Sequence, residues 1–186
     1  EVNTPPTVQS VQNQTVDEGA PVAVTVSATD SDLPAQTLAF SLEPGAPAGA
    51  SISATGAFSW TPSEAQGPGS FPITVRVTDN GQPAANQIVS FTVTVNEVNG
   101  PPTVQAVPPQ TVNEGSLLTF TVAATDPDAP AQTLAYSLDA GAPPGASINS
   151  ASGLFEWTPT ELQAPGTFSI VVRVTDNGTP PASGTV

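Results

Sequence analysis

One long segment of the sequence occurs twice in succession. Glu18 recurs as Glu114, 96 residues later, and Trp60 recurs as Trp157, 97 residues later, because the second copy contains one extra residue. A period of this length is close to the size of a complete small domain. It therefore favours domains in series over a solenoid of short repeats.

A linker marks the boundary between the two copies. The run VNEVNGPP stands at 95–102, and a near copy of it, EVNTPP, opens the chain at 1–6. Placing the boundary inside this linker predicts two domains, residues 1–98 and 99–186.

Each copy consists of short runs in which apolar and polar residues alternate. Val22, Val24 and Val26 share one face of such a run, and Phe58 and Trp60 share one face of another. A period of two is typical of half-buried strands, and no run has a helical period. The sequence predicts an all-β fold of two tandem seven-stranded Greek-key β-sandwiches.

The end of each copy leads to two predictions, one for the turn before the last strand and one for the last strand itself. The tripeptide Asp-Asn-Gly at 79–81 and at 176–178 favours φ > 0 and predicts a hairpin turn. The second copy stops at Val186, opposite Val89, so we expect it to lack most of its last strand. Either this is only the boundary of this sequence, or a neighbouring subunit or segment supplies the strand by β-augmentation.

Composition excludes several classes of site. The sequence has no Cys and no His, and Arg76 and Arg173 are its only basic residues against 16 acids. Disulfides, thiolate metal sites and the commonest general base are therefore unavailable. A net charge of −14 argues against nucleic acid and anionic membranes as partners, since both require clustered Lys or Arg. No apolar run approaches the roughly 20 residues of a membrane span, so we expect no direct membrane insertion.

Five motifs together resemble cadherin repeats. They are VSATDSD at 26–32, LAFSL at 38–42, TGAF at 55–58, VRVTDNG at 75–81 and the linker VNEVNGPP. The ordered set occurs twice and is most similar to the bacterial cadherin-like and putative-immunoglobulin modules, the dystroglycan-type cadherin-like tandem repeats of surface and secreted proteins. The resemblance implies an extracellular or cell-surface location.

The resemblance also implies Ca²⁺ at the junctions between successive repeats, held by acids from one repeat, the linker and the next repeat. Carried over by position, the middle junction would use Glu18, Glu64, Glu97, Asn99, Asp126, Asp128 and Asp176. The junction before the first copy would use Glu1, Asn3, Asp30, Asp32 and Asp79. Glu114 and Glu161 would face a further repeat.

This sequence departs from the family pattern at two of these points. Glu64 is the weaker match, because Thr-Pro-Ser-Glu replaces the family's acidic pair. Gly100 and Pro101 replace two further polar ligands of the family's linker, which predicts fewer ions per junction.

Elementary electrostatics also favours a cation. Ca²⁺ takes about six to eight oxygen ligands and tolerates irregular geometry, so it suits acids from several loops. Converging carboxylates repel by about 1 kcal/mol per close pair even in water. Arg76 and Arg173 cannot relieve this repulsion, because each repeat has only one arginine and it lies on a strand before the loop acids.

Simpler interpretations stay open for the same residues. Asp30 and Asp32 could form Asx-turns, Asp79 and Asp176 could serve only their turns, and Glu18 and Glu114 could be ordinary turn residues. Four other acids are interpreted as solvated surface charge: Asp17, Glu43, Asp139 and Glu156. Trp60 and Trp157 are interpreted as core residues rather than sugar-stacking platforms.

The predicted function is a non-enzymatic, calcium-rigidified spacer or adhesion repeat whose partners are neighbouring repeats or like subunits. Two observations argue against an enzyme. No nucleophile motif or phosphate loop is present, and the paired acids lie on loops without inserted elements that could enclose a pocket. Two alternatives stay open: a self-assembling filament or sheath subunit that uses strand donation, and an accessory glycan- or protein-binding module of a secreted enzyme.

Overall fold

The computed structural model describes residues 2–186, which form two compact units divided between Val98 and Asn99. Both units are built from β-strands. The helical content of the described range is two 3₁₀ turns, Glu64–Gln66 and Glu161–Gln163. Neither turn is long or apolar enough to span a membrane.

The first unit contains nine strands within residues 2–98. They are β1 (Thr7–Val8), β2 (Gln14–Asp17), β3 (Val22–Thr25), β4 (Ala28–Thr29), β5 (Ala39–Leu42), β6 (Ser51–Ile52), β7 (Ala57–Trp60), β8 (Gly69–Thr78) and β9 (Asn86–Asn96). Two of the seven predicted runs are divided, because β1 and β2 come from one run and β3 and β4 from another.

Two sheets of the first unit enclose its core. One sheet has the order β2-β9-β8-β5, the other has the order β3-β7-β6, and β1 pairs separately with β4. All of these pairs are antiparallel except β2 with β9, which run parallel with Asp17 opposite Asn96. The core contains fully buried side chains from both sheets, among them Phe58, Val75 and Val93.

The second unit repeats this plan with fewer strands. They are β10 (Thr103–Val104), β11 (Leu118–Thr121), β12 (Ala124–Thr125), β13 (Ala135–Leu138), β14 (Ser147–Ile148), β15 (Leu154–Trp157), β16 (Val172–Thr175) and β17 (Ser183–Thr185). Its sheets have the orders β11-β15-β14 and β13-β16-β17. The prediction of an all-β fold with two sandwiches is confirmed.

A groove opens in the second unit where the first unit has the far half of β9. In the first unit Phe91, Val93 and Val95 of β9 are buried. The second unit has a cavity of about 700 Å³ in this region, and Phe168 on its lining is 39% exposed. Residues 110–113 and 166–171 are not strands, although their counterparts in β2 and β8 pair with β9.

The expectation of φ > 0 in the two Asp-Asn-Gly turns is wrong. Neither Gly81 nor Gly178 has a positive φ. The loop between β8 and β9 is longer than a two-residue turn, and the Asp79 carboxylate organises it by accepting the Gly81 N–H at 3.0 Å and the Ala85 N–H at 2.9 Å. A side-chain acceptor thus replaces the backbone conformation that the tripeptide suggested.

Candidate metal centre

Three glutamates meet at one end of the first unit. Glu18 follows β2, Glu64 opens the 3₁₀ turn after β7, and Glu97 follows β9. One carboxylate oxygen from each lies within 4.8 Å of the others. The three side chains come from distant parts of the sequence, so only the fold brings them together.

Glu18 is positioned by the parallel pairing of β2 and β9. Its backbone N–H donates to Asn96 O at 3.1 Å, and its Oε1 accepts the Val98 N–H at 3.0 Å. The residue is 8% exposed, and its Oε2 is buried with no hydrogen-bond partner. A buried ionised oxygen without a partner is costly, and a bound cation would satisfy it.

Glu64 is positioned by a capped 3₁₀ turn. Gln66 accepts the Ser63 N–H at 2.9 Å and reaches back to Ala48 O at 3.2 Å. The Gly19 N–H donates to Pro62 O at 2.8 Å, so the turn that carries Glu18 is tied to the loop that leads to Glu64.

Gly67 lets the Glu18 carboxylate approach the end of this turn. A Cβ at position 67 would overlap Oε2 and the carboxyl carbon of Glu18. The counterpart of Gly67 in the second unit is Ala164. The first unit therefore has a space for a carboxylate that the second unit fills with a methyl group.

The dimensions and charge of the cluster fit Ca²⁺. Two oxygens that each lie about 2.3–2.6 Å from one Ca²⁺ can be at most about 5 Å apart, and the three glutamate oxygens fall within that span. Three ionised carboxylates at this separation repel by about 1 kcal/mol per pair in water, and by about 4 kcal/mol at an effective dielectric constant near 20. An oxygen-only ligand set selects a hard cation over zinc or copper.

The corresponding glutamates of the second unit are arranged differently. Glu114 and Glu161 are both exposed. The backbone contact beneath them is retained, because the Gly115 N–H donates to Pro159 O at 2.8 Å. This backbone contact alone is therefore not sufficient to bury the first glutamate.

A second group of acids lies at the opposite end of the sandwich in each unit. In the second unit Asn99 Nδ2 donates to Asp176 Oδ1 at 3.1 Å, and the Gly100 N–H donates to Asp128 Oδ2 at 2.9 Å. Gln132 Nε2 donates to Asp128 Oδ2 at 2.8 Å and also contacts Asn99 Oδ1. The linker residues are therefore tied to the loop acids of their own unit.

The first unit contains the same network. Asn3 Nδ2 lies 3.2 Å from both oxygens of Asp79, and Gln36 Nε2 donates to Asp32 Oδ2 at 3.2 Å and to Asn3 Oδ1. The Asp32 N–H donates to Asp30 Oδ1 at 2.9 Å, which is the Asx-turn expected for that pair. Glu1, predicted as a ligand at this end, lies outside the described residues.

Hydrogen bonds keep two of these acids ionised. Burial acts to raise the pKa of Asp79, but donors from Ala85, Asn3 and Gly81 outweigh it and hold the pKa below its ordinary value. The pKa of Asp176 is lowered in the same way, against burial, chiefly by the Ala182 N–H and Asn99. Both side chains are therefore negatively charged at neutral pH.

The two arginines are engaged by other carboxylates. Arg76 Nε lies 2.6 Å from Glu43 Oε1, and Arg173 Nη2 lies 2.8 Å from Asp139 Oδ2. Glu43 and Asp139, interpreted as solvated surface charge, are partly exposed, and each also forms an ion pair with the arginine of its own unit. These pairs occupy the only two basic side chains of the sequence.

The tryptophans belong to the core, as predicted. Trp60 is 2% exposed and Trp157 is 6% exposed. The indole N–H of Trp60 donates to Ala48 O at 3.1 Å, and that of Trp157 donates to Pro144 O at 3.3 Å. Neither ring offers an open face on which a sugar could stack.

Sequence reasoning did not single out Gln36, Gln132, Thr4 or Gly67. The two glutamines could have been found from the internal repeat, since they occupy equivalent positions 96 residues apart next to the paired aspartates. Thr4 and Gly67 carry no local signal, because their importance comes from the carboxylates that they contact.

The model of one protein family matches both halves of the chain. The Putative Ig domain (He_PIG) matches residues 5–96 and again residues 101–186. The chain belongs to the Putative Ig domain family. No curated protein matches it.

Solved structures of cadherins share the fold of these two Putative Ig domains. Mouse cadherin-23 EC22–24 is 27% identical, with a TM-score of 0.60 over 98% of the chain and 62% of that structure. Drosophila N-cadherin EC1–4 is 16% identical, with a TM-score of 0.61 over 99% of the chain and 48% of that structure. A protocadherin gammaB7 EC3–6 cis-dimer is 23% identical, with a TM-score of 0.53 over 100% of the chain and 51% of that structure.

The chain spans less than two thirds of each of these three cadherin structures. Two tandem Putative Ig domains thus share the β-sandwich fold of cadherin repeats. Domains of these classes are usually extracellular and typically non-catalytic.

Proposed function

We propose that the chain is a spacer or adhesion segment of a surface or secreted protein, and that Ca²⁺ bound at its linker makes it rigid. The first ion is held by Glu18, Glu64 and Glu97 of the first unit. Asn99, Asp126, Asp128 and Asp176 supply ligands from the second unit, and Asn3, Asp30, Asp32 and Asp79 supply the equivalent ligands of the first.

One observation carries this proposal. The carboxylate oxygens of Glu18, Glu64 and Glu97 converge within 4.8 Å, and Oε2 of Glu18 is buried without a partner. Without a cation this arrangement combines like-charge repulsion with an unsatisfied buried oxygen. Binding of Ca²⁺ removes both penalties at once.

Ion binding would order the linker through residues on both sides of it. Glu97 and Asn99 flank Val98, whose N–H is already held by Glu18. Fixing the backbone of one residue costs about 1–2 kcal/mol, so a free linker of several residues stays mobile unless something stabilises one conformation. Ca²⁺ supplies that stabilisation because it binds the ordered linker better than the mobile one.

The role is mechanical rather than catalytic. The acids of each unit hold linker residues and loop backbone, and the arginines are paired with Glu43 and Asp139. The partners are neighbouring repeats of the same chain or like subunits, outside the cell.

Calorimetric titration of the 186-residue chain with CaCl₂ tests the proposal. The variants Glu18→Gln, Glu64→Gln and Glu97→Gln should each weaken binding about tenfold or more, which corresponds to about 1.4 kcal/mol. Glu114→Gln and Glu161→Gln are matched controls at the exposed equivalent positions and should change nothing. Equal binding by the wild type and Glu18→Gln would exclude the site.

Linker rigidity needs its own measurement. Backbone ¹⁵N relaxation of residues 97–100 should give higher order parameters with Ca²⁺ than with a chelator. Calcium binding without a change in these order parameters would leave a calcium-binding module but exclude the rigid spacer.

The groove of the second unit favours a second candidate, assembly by strand donation. Its cavity of about 700 Å³ corresponds in position to Phe91, Val93 and Val95 of the first unit. A filament or sheath subunit would fill it with an uncharged extended strand of the pattern found at 90–96, SFTVTVN. A labelled peptide of residues 88–97 should then bind the chain, and replacement of its Phe91 and Val93 by Asp should abolish binding.

A further inference from the structure

The two units differ at the residue that follows the linker asparagine. Thr4 follows Asn3 in the first unit, and Gly100 follows Asn99 in the second. Both residues contact the second aspartate of the Asp-x-Asp loop, which is Asp32 or Asp128. The two units thus show the same aspartate site beside two different residues, a threonine in the first unit and a glycine in the second.

Thr4 satisfies both oxygens of Asp32. Its N–H donates to Oδ2 at 2.7 Å, and its hydroxyl donates to Oδ1 at 2.7 Å. Hydrogen bonds to an ionised acceptor are roughly twice as strong as neutral ones. A cation that binds Oδ1 of Asp32 therefore competes with the Thr4 hydroxyl for that oxygen.

Gly100 satisfies only one oxygen of Asp128. Its N–H donates to Oδ2 at 2.9 Å, whereas Oδ1 is buried with no hydrogen-bond partner. Asp128 is only 4% exposed, so water does not readily solvate that oxygen. A buried carboxylate oxygen in this condition is costly unless it is paired.

Two neighbouring side chains present further buried oxygens without partners. Oδ2 of Asp126 and Oε1 of Gln132 are both in this state, and Gln132 also donates to Asp128 Oδ2 at 2.8 Å. Two carboxylates and an amide oxygen are the ligand types that Ca²⁺ takes from loops. The first unit retains the counterparts Asp30 and Gln36, so its site lacks only the open aspartate oxygen.

We propose that Gly100 opens the loop site of the second unit to Ca²⁺, with Asp126, Asp128 and Gln132 as ligands, and that Thr4 closes the equivalent oxygen in the first unit. This inference rests on the proposed function for the identity of the ion. It adds Gln132 to the ligand set and assigns the affinity difference between the units to one side chain. The two repeats would then load with calcium at different concentrations.

Exchange of these two residues is compatible with the backbone. Gly100 does not have a positive φ, and a Cβ placed there would have only Asp128 Oδ1 as a near neighbour, at 3.4 Å. A threonine at position 100 can therefore direct its hydroxyl to Oδ1, as Thr4 does. An alanine there adds the Cβ without the hydroxyl and serves as the matched control.

A calcium titration followed by NMR on the 186-residue chain tests the inference. The probes are the backbone amide of Asp128 with the side-chain amide of Gln132, and the equivalent amides of Asp32 and Gln36. In the wild type the second-unit midpoint should lie about tenfold or more below the first-unit midpoint. Gly100→Thr should raise the second-unit midpoint to that of the first, Thr4→Gly should lower the first, and Gly100→Ala should have little effect.

Two results would overturn the inference: equal midpoints in the wild type, or an unchanged second-unit midpoint in Gly100→Thr. The Val98 amide reports separately on the glutamate cluster of the first unit. A response at Gln132 with none at Val98 would exclude the glutamate site and leave this inference standing. A response at Val98 with none at Gln132 would do the reverse.

Discussion

The backbone N–H of Val98 donates a hydrogen bond to Oε1 of Glu18 at 3.0 Å, across 80 residues of sequence. This bond ties the linker to the only group of three or more acids whose ligand oxygens converge within residues 2–186. It also leaves Oε2 of Glu18 directed elsewhere in the cluster, without a partner. Oε1 of Glu18 therefore holds the backbone of the linker, and Oε2 can bind an ion.

Amide exchange at Val98 should slow when calcium is added. Ca²⁺ held by Glu18 fixes the carboxylate that accepts this N–H, so local opening becomes less frequent. Hydrogen exchange followed by NMR, in CaCl₂ and in a chelator, measures the effect. The core amide of Val75 serves as a reference, and equal slowing at both residues would indicate general stabilisation instead of a local site.

Gly67→Ala should weaken calcium binding without unfolding the first unit. The added methyl overlaps the Glu18 carboxylate, whereas the backbone at position 67 has φ −100°, which alanine adopts readily. The substitution installs the residue that the second unit already has, so the turn itself should tolerate it. Calorimetry should show a loss of affinity of about tenfold or more, and Ala164→Gly should leave affinity unchanged. Unaltered binding by Gly67→Ala would mean that the Glu18 carboxylate is not a ligand in this position.

Extension of the chain after Val186 by SFTVTVN should stabilise the second unit. These residues repeat 90–96, where Phe91, Val93 and Val95 are buried, and each such side chain contributes about 1.5–3 kcal/mol on full burial. A gain of about 3 kcal/mol or more is expected in urea unfolding followed by Trp157 fluorescence in a Trp60→Phe background. A matched extension with Asp at the three apolar positions should give no gain. If both extensions behave alike, the groove does not accept a strand.

Acid should weaken the fold through the two arginine pairs. The hydrogen bond from Arg76 lowers the pKa of Glu43 below 4.5, and the bond from Arg173 lowers that of Asp139 below 3.8. A carboxyl whose pKa is lower in the folded state contributes stability above its unfolded pKa and loses it as the pH falls through the folded value. Urea midpoints should therefore decline below about pH 4.5, and Glu43→Gln with Asp139→Asn should flatten that decline. A decline of the same slope in the double variant would assign it to other acids.

The periodic features of the sequence were sufficient for the fold class. Alternation at Val22, Val24 and Val26 predicted a strand with one buried face, and Val22 and Val26 are indeed buried while Val24 packs against the core. The spacing from Trp60 to Trp157 predicted two copies of one sandwich, and both rings are buried in equivalent places. Such patterns are local, and each follows from the two-residue period of a strand.

The contacts of single polar residues were less predictable. Asp-Asn-Gly suggested a turn set by backbone conformation, but the structure uses the Asp79 side chain as the acceptor instead. Glu43 gave no sign of its arginine partner, because Arg76 lies 33 residues away and meets it only through the pairing of β5 with β8.

The sequence by itself determined that this chain is two acidic β-sandwiches in tandem, because composition and strand period act residue by residue. Tertiary structure alone decided which carboxylates meet and which oxygens are left unpaired. The convergence of Glu18, Glu64 and Glu97 depends on the parallel register of β2 and β9. Oδ1 of Asp128 is left without a hydrogen-bond partner because Gly100 has no side chain that could donate to it. Hydrogen bonds and charge pairs require distances of a few ångströms between residues far apart in the chain, and the register of the folded sheets sets those distances.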